Sequence, residues 1–256
     1  MNELKSVPAP VNAVRVWRGF RFPESGLDEF CDKLGTVFVP ATVKMQIDAG
    51  LQSYIPSIPA GVPGKPDSVP DETAILFWES QKNYWNGFGT LAVRTYTLTH
   101  NGVYVTEKQK SRADFPEIFS GEVSVDQPVY LFSQPADWMH GNVSHLVGAR
   151  PAAQDPTKFQ SAVASALSRI QKEVPLDGAI ACVGSEYLVY WELAPRAAGL
   201  PHPPTGLPLV RAIVEWNCSF TASPTFLPIG LWEEWAGMSV VSGSSFNMQF
   251  ERRKSS

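Results

Sequence analysis

The residues of this chain whose types could do chemistry are carboxylates, arginines and a histidine set in extended, strand-like runs. Glu79 and Glu192 each close such a run on the same Trp-Glu pair, in Ile75-Leu76-Phe77-Trp78-Glu79-Ser80 and in Leu188-Val189-Tyr190-Trp191-Glu192-Leu193. A carboxylate drawn into a partly desolvated cavity has a raised pKa and can serve as a general acid or base. His145, in the strand-like run Val143 to Arg150, is the third acid–base candidate. Arg15, Trp17, Tyr190, Arg211 and Glu215 form the expected substrate-binding set, because arginines beside such carboxylates can hold an enolate or carboxylate. Taken singly, each of these charges has a common structural role as well, pairing at a strand end with another charge or with water.

Other chemistries find little support. His140 and His145 stand in no HxH or HExxH pattern with a carboxylate to complete a set, so no metal site is expected. His100, near a helix end, and His202, in a Pro-rich loop, are expected at the surface. No serine lies in GxSxG and no Gly-rich phosphate cradle follows a strand, which argues against a serine hydrolase and a nucleotide-binding protein. Cys31, Cys182 and Cys218 have no CxxC spacing and apolar neighbours, and read as reduced core thiols.

Composition sets the frame for these residues. With 44% hydrophobic residues the chain can bury a substantial core, and a net charge of −4 spread thinly supplies no basic stripe for nucleic acid. No apolar window is long enough to cross a bilayer, and the first residues lack a basic start followed by an apolar block. The expectation is a soluble, cytoplasmic protein with a small-molecule partner, no nucleic-acid or membrane partner, and homo-oligomerisation left open.

The elements that must position the candidates follow from periodicity. Val14 to Pro23 alternates as a strand, Val14 and Val16 on one face and Arg15, Trp17 and Arg21 on the other. Ser25 opens a helix over Leu27, Phe30, Cys31 and Leu34 that stops at Gly35, a second helical piece runs from about Ala41 to Ala49 with Gly50 as its stop, and Leu51 to Ile55 is a strand. Pro59 to Pro70 is a Pro/Gly loop. The first Trp-Glu strand follows, then an aromatic helix over Gln81 to about Val103, a polar irregular stretch, and a closing strand at Pro128 to Phe132. The second half reads as a strand at Val143 to Arg150, a helix capped by Asp155 with Phe159, Val163, Ala166, Leu167, Ile170 and Val174 on its apolar face, strands over Ala179 to Val183 and at the second Trp-Glu run, a Pro/Gly loop, a strand over Leu209 to Phe220, a short helix at Leu231 to Met238, and a last strand at Ser245 to Glu251.

Strand-helix-strand-strand-helix-strand is the ferredoxin-like βαββαβ pattern. The segment Glu72 to Tyr84, followed by an aromatic helix ending near His100-Asn-Gly-Val-Tyr104, resembles the third strand and second helix of the dimeric α+β barrel superfamily. Two copies in one chain resemble its tandem members, whose halves close the barrel internally. The resemblance implies an α+β fold of two ferredoxin-like repeats, residues 11–135 and 140–252, closing into an intramolecular α+β barrel. In that barrel the Val189-Trp191-Leu193 face would meet the helices, and Glu192, Tyr190 and Arg15 would face the lumen, with Arg211 beside Glu192. Members of the superfamily include cyclases, isomerases, cofactor-free oxygenases and haem enzymes, so the implied function is acid–base chemistry of the cyclase or isomerase type on an organic metabolite. A haem-dependent lyase or peroxidase-like enzyme and a non-catalytic binding or assembly protein are the alternatives. No cofactor is favoured, and haem remains the one to test.

Overall fold

A computed structural model describes residues 13–195, 203–227 and 239–250. The alternating run after Ala13 forms β1 (Val14–Gly19), and the chain then climbs through α1 (Leu27–Lys33). The expected stop at Gly35 does not occur. Leu34–Phe38 passes as a single π-helical turn into α2 (Val39–Gln46), because Leu34 and Phe38 are buried and their packing outweighs the glycine's low helix propensity. Gly50, at φ +92°, makes the real turn into β2 (Leu51–Ser57). After the Pro/Gly loop comes β3 (Glu72–Trp78), buried along its whole length. The long aromatic helix is two helices, α3 (Gln81–Phe88) and α4 (Leu91–Thr99), which break at Gly89-Thr90. Ser80 and Thr90 cap them by accepting from the N–H groups of Asn83 and Val93. β4 (Arg112–Asp114) then pairs with β1.

The next two strands leave for the other half. β5 (Glu117–Ile118) and β6 (Val129–Tyr130) join a second sheet built from β7 (Val143–Ala149), β8 (Gly178–Val183) and β9 (Tyr187–Leu193). The strand expected at Pro128 to Phe132 therefore closes the second sheet and not the first. Between β7 and β8 lies α5 (Pro156–Glu173), capped by Asp155 and burying Phe159, Val163, Leu167 and Ile170. The expected strand over Leu209 to Phe220 starts later: α6 (Leu207–Arg211) precedes β10 (Trp216–Ala222), Pro208 entering the helix in its first turn. β11 (Pro224–Leu227) and β12 (Asn247–Phe250) return to the first sheet. The helix expected at Leu231 to Met238 lies outside the described residues.

The sheet orders are β11-β12-β2-β3-β1-β4 and β10-β7-β9-β8-β6-β5. Within them β2-β3-β1-β4 and β8-β9-β7-β10 are the ferredoxin-like order, and the two Trp-Glu strands hold corresponding places. Each sheet is completed by a parallel strand pair from the other half of the chain.

The two sheets lie face to face, and no closed barrel forms among the described residues. The expected polar lumen is replaced by an apolar layer in which Val14, Val16, Ile75 and Phe77 of the first sheet pack on Val147, Val189, Trp191 and Leu193 of the second. The face assignment is thus reversed on β1 and β9, whereas on β3 Phe77 faces the other sheet as its alternation predicts. Arg15 and Trp17 point to the helices of the first half, and Tyr190 and Glu192 to those of the second. Burial explains the reversal: the space between two sheets admits no solvent, so the most apolar face goes there, and the helix side takes the polar residues that find partners.

Candidate functional site

The outer face of the first sheet and its helices enclose a cavity of about 320 Å³. β1 and β3 supply its floor by the period-two rule: Arg15 and Trp17 alternate with the core valines, and Leu76 and Trp78 alternate with Phe77. Tyr54 comes from β2, Phe38 from the π-helical turn, Tyr84 and Phe88 from α3, and Tyr96 and His100 from α4 and its end. The wall is mostly rings. Phe88 and Leu98 both line the cavity and reach solvent, Leu98 at 66% exposure, so they mark its mouth.

At the start of β3, on the same face as Leu76 and Trp78, sits Glu72, fully buried. Its Oε2 accepts from Trp17 Nε1 at 2.8 Å and from the Tyr104 hydroxyl, and its Oε1 accepts from the Tyr54 hydroxyl at 2.6 Å. Burial holds this carboxyl above the usual range against those three hydrogen bonds. One carboxylate thereby fixes the orientation of three rings, two of which line the cavity.

Arg15 is the cation of the site. It donates to the Tyr84 hydroxyl and to the Ala113 carbonyl, and its guanidinium lies 4.4 Å from the centre of the Tyr84 ring. Among the described residues no carboxylate forms an ion pair with it, and burial depresses its pKa, with Tyr84 and Asp114 opposing. His100 is packed edge-on against Trp17, Phe38 and Tyr96 at ring separations of 5.1, 4.8 and 4.9 Å. Burial, with a contribution from Arg15, pushes its pKa down to about 4 although hydrogen bonds to backbone oppose this. The imidazole is therefore neutral at pH 7. Its Nδ1 lies 3.2 Å from the Thr97 carbonyl, which can only accept, so Nδ1 carries the proton and Nε2 keeps its lone pair. Three polar atoms in the wall are sealed from solvent and have no hydrogen-bond partner: Arg15 Nε, Gln46 Oε1 and Trp78 Nε1.

The expected site residues do not converge. Arg15 and Trp17 line this cavity. Glu79 follows β3 directly and accepts from Asn83 Nδ2 at 2.8 Å, outside the lining. Glu192 faces α6 and not a lumen, where it accepts from the Tyr190 hydroxyl at 2.9 Å, the Gly206 N–H at 2.8 Å and the Thr205 hydroxyl. Its carboxylate thus tethers the loop that starts α6, and burial raises its pKa against those bonds. Arg211, expected beside it, is exposed and bonds Ser219, and Glu215 is exposed and accepts from the Ala152 N–H. His145 is locked between the sheets: Nδ1 donates to the Tyr190 carbonyl at 2.8 Å, Nε2 accepts from the Thr73 hydroxyl at 2.7 Å, and its ring stacks on Trp191 at 4.2 Å. Glu72, Tyr84 and above all His100, expected at the surface, are not among the expected site residues. The signal was present in the i, i+4 spacing of Tyr96 and His100 at the end of α4, which puts the two rings on one side.

Haem does not fit the described histidines. Both nitrogens of His145 are engaged, His140 is exposed and bonds Asp137, and His100 is packed edge-on by Trp17, Phe38 and Tyr96. Among the described residues no cluster of histidine, cysteine and carboxylate is arranged to hold a metal ion, and no helix is long and apolar enough to cross a membrane.

No family model and no curated protein matches the sequence. Solved structures similar to this one include two proteins named "putative monooxygenase". The one from Lactobacillus acidophilus NCFM has TM-score 0.33 and 10% identity, covering 81% of this chain and 91% of its own. The one from Fusobacterium nucleatum subsp. nucleatum ATCC 25586 has TM-score 0.35 and 6% identity, covering 85% and 92%. An anthrone oxidase-like protein has TM-score 0.34 and 14% identity, covering 81% and 88%. The α+β, ferredoxin-like character of the chain rests on its own strand orders.

Proposed function

We propose that the chain is a small-molecule enzyme that takes a planar, mainly apolar organic compound into the cavity between the first sheet and the π turn with α2–α4 and moves a proton on it. The observation that carries this reading is the pairing of a neutral imidazole, His100, with a cation lacking a carboxylate partner, Arg15, in a wall otherwise made of rings. The second sheet provides the contrast. There α5 lays Phe159, Val163, Leu167 and Ile170 directly onto Leu146, Leu188 and Tyr190, a packed core of ordinary kind.

The chemistry that suits this pair is proton abstraction next to a carbonyl. His100 Nε2 takes the proton, the C–H electron pair becomes the new C=C bond, and the carbonyl π pair moves to oxygen. Arg15 stabilises the resulting negative charge in a site with little water. The enolate's charge also raises the proton affinity of His100, so a group whose pKa burial lowers becomes a better base as the charge forms. Return of the proton to another atom gives an isomer, or sets up a ring closure. The aromatic lining and the mouth at Phe88 and Leu98 favour a flat ketone of one or two fused rings.

Deuterium exchange at the enolisable carbons of 2-tetralone, followed by NMR in D2O, tests the reading. The protein should accelerate exchange over buffer, and His100→Gln should lose about 100-fold or more of that acceleration. Exchange by His100→Gln at the wild-type rate, or no acceleration by the wild type, would overturn it.

A further inference from the structure

Among the described residues eight large apolar side chains are exposed, and four of them, Trp85, Phe88, Leu91 and Leu98, lie on α3 and α4. Leu91 is 81% exposed and Trp85 55%. Helical spacing gathers them: Leu91, Arg94 and Leu98 stand at i, i+3 and i+7 on one side of α4, and Lys82, Trp85 and Phe88 follow one another at i, i+3 and i+6 on α3. The Trp85 ring is held by those of Tyr84 at 4.9 Å and Phe115 at 6.0 Å, so it is presented to solvent in a fixed place. Phe88 and Leu98 stand at the mouth of the cavity, so the two helix faces meet around its opening. Charge sets this surface apart as well. From Ser80 to Thr106 the sequence holds two cations, Lys82 and Arg94, and no acidic residue, in a chain whose net charge is −4. Both cations are exposed, and the exposed pair at the neighbouring end of α2, Lys44 and Asp48, sums to zero.

We propose that this face docks the protein on an anionic lipid surface, the rings and leucines entering the headgroup boundary and Lys82 and Arg94 meeting lipid phosphates, so that the cavity opens toward the bilayer. Docking of this kind needs an apolar helix face with cations beside it and no spanning segment. Trp85 suits the boundary because its ring is apolar and its indole N–H polar. The stems of Lys82 and Arg94 can lie along the apolar face while their heads reach the phosphates. A second copy of the chain is a poorer occupant. A two-fold contact sets the same patch against itself, and α3 and α4 have no carboxylate to answer the doubled cations. A protein partner seated here would cover Phe88 and Leu98 and shut the cavity, whereas a lipid surface brings the mouth to the medium in which apolar compounds collect. Docking on lipid is independent of the proton transfer inside the cavity.

The test is flotation of the full chain with vesicles of phosphatidylcholine and phosphatidylglycerol, set against vesicles of phosphatidylcholine alone. The wild type should bind the mixed vesicles about 30-fold more tightly, the preference expected of two cations near an anionic surface, and added salt should erase that preference. The double variant Lys82→Gln, Arg94→Gln should bind both kinds of vesicle equally. Leu91→Gln changes a side chain outside the cavity lining and almost wholly in solvent, so its urea midpoint should match the wild type, while its binding to both kinds of vesicle should fall about 10-fold. Failure of the wild type to float with the mixed vesicles would overturn the proposal. Equal flotation of wild type and Leu91→Gln, or an undiminished preference for phosphatidylglycerol in the double variant, would also overturn it, since the contact would then lie on another face. A wild-type dimer in sedimentation that Leu91→Gln dissociates would overturn it in favour of a second copy.

Discussion

Replacing Glu72 tests the part of the site that was least visible in the sequence. In Glu72→Ala three buried donors lose their acceptor: the Trp17 indole and the Tyr54 and Tyr104 hydroxyls. At about 1–3 kcal/mol for each stranded donor, softened where a hydroxyl can turn elsewhere, the loss should be about 3–6 kcal/mol before any cavity cost. That is a large part of the stability of a typical domain, about 5–15 kcal/mol. Glu72→Gln should behave quite differently. Its amide oxygen can replace Oε2 and accept from Trp17 and Tyr104, while its NH2 donates to a reoriented Tyr54. It gives up charge-assisted bonds but also avoids burying a charge, so the net change at pH 7 should stay within about 1 kcal/mol. The two variants also differ from wild type in pH dependence. The Glu72 carboxyl titrates above its unfolded value near 4.3, so folding takes up a proton in the window that begins there. This group's contribution is most favourable below that pH and falls as pH rises through the folded pKa, and Glu72→Gln removes that slope. Urea titrations monitored by tryptophan fluorescence give all three numbers. Equal, mild effects of Ala and Gln would refute the idea that this carboxylate holds the rings.

Other perturbations separate the structural groups from the chemical ones. His145, pushed by burial from its ordinary 6.5 to about 3, must stay neutral to fold, so its stabilisation is complete above pH 6.5 and lost as pH falls toward 3. Against His145→Gln the wild type should lose up to about 5 kcal/mol across that range, read from urea midpoints; parallel curves would show that the imidazole is not the sensor. Glu192→Gln should cost about 1–2 kcal/mol through its bonds to Tyr190 and Gly206, with 2-tetralone exchange unchanged; loss of exchange without loss of stability would return Glu192 to the chemistry. Gly19→Ala would place a methyl 2.5 Å from Tyr104 Cε1 and 2.8 Å from Trp17 Nε1, and should destabilise by about 1–3 kcal/mol while weakening naphthalene binding in a fluorescence titration. Unaltered binding in Gly19→Ala would mean that Trp17 and Tyr104 do not shape the cavity.

Much of the architecture was legible because alternation and capping are local signals. The strands Val14–Gly19, Glu72–Trp78 and Tyr187–Leu193 and the helix capped by Asp155 follow directly from residue spacing. Partnership between distant elements was not legible. Nothing local distinguishes Val129–Tyr130 as a strand of the second sheet, or Asn247–Phe250 as one of the first, since pairing is decided by where the chain runs after β4 and β10. Gly35 failed as a stop because tertiary packing of Leu34 and Phe38 overrode propensity, and the π turn it permits is what delivers Phe38 to the cavity.

The repeated Trp-Glu pair shows why the site itself was misplaced. The two strands correspond in sheet order, yet Trp78 faces the helices and Trp191 faces the opposite sheet, so the likeness in sequence is out of phase by one residue with the likeness in structure. In a strand of period two such a shift moves every side chain to the other face. Aligning the tryptophans therefore puts Glu192 on the side where no cavity lies and leaves Glu72 unnoticed. Read by face instead, Glu72, Leu76 and Trp78 belong with Arg15 and Trp17, and Leu188, Tyr190 and Glu192 belong with α5. The difference between the halves then follows from their helices. One unbroken helix of 18 residues lies along the second sheet and buries its apolar face there, whereas on the first sheet the helical run through the π turn seats Phe30, Leu34 and Phe38, but α3 and α4, broken at Gly89-Thr90, leave Trp85, Leu91 and Leu98 exposed. The space left between those helices and the sheet is the cavity.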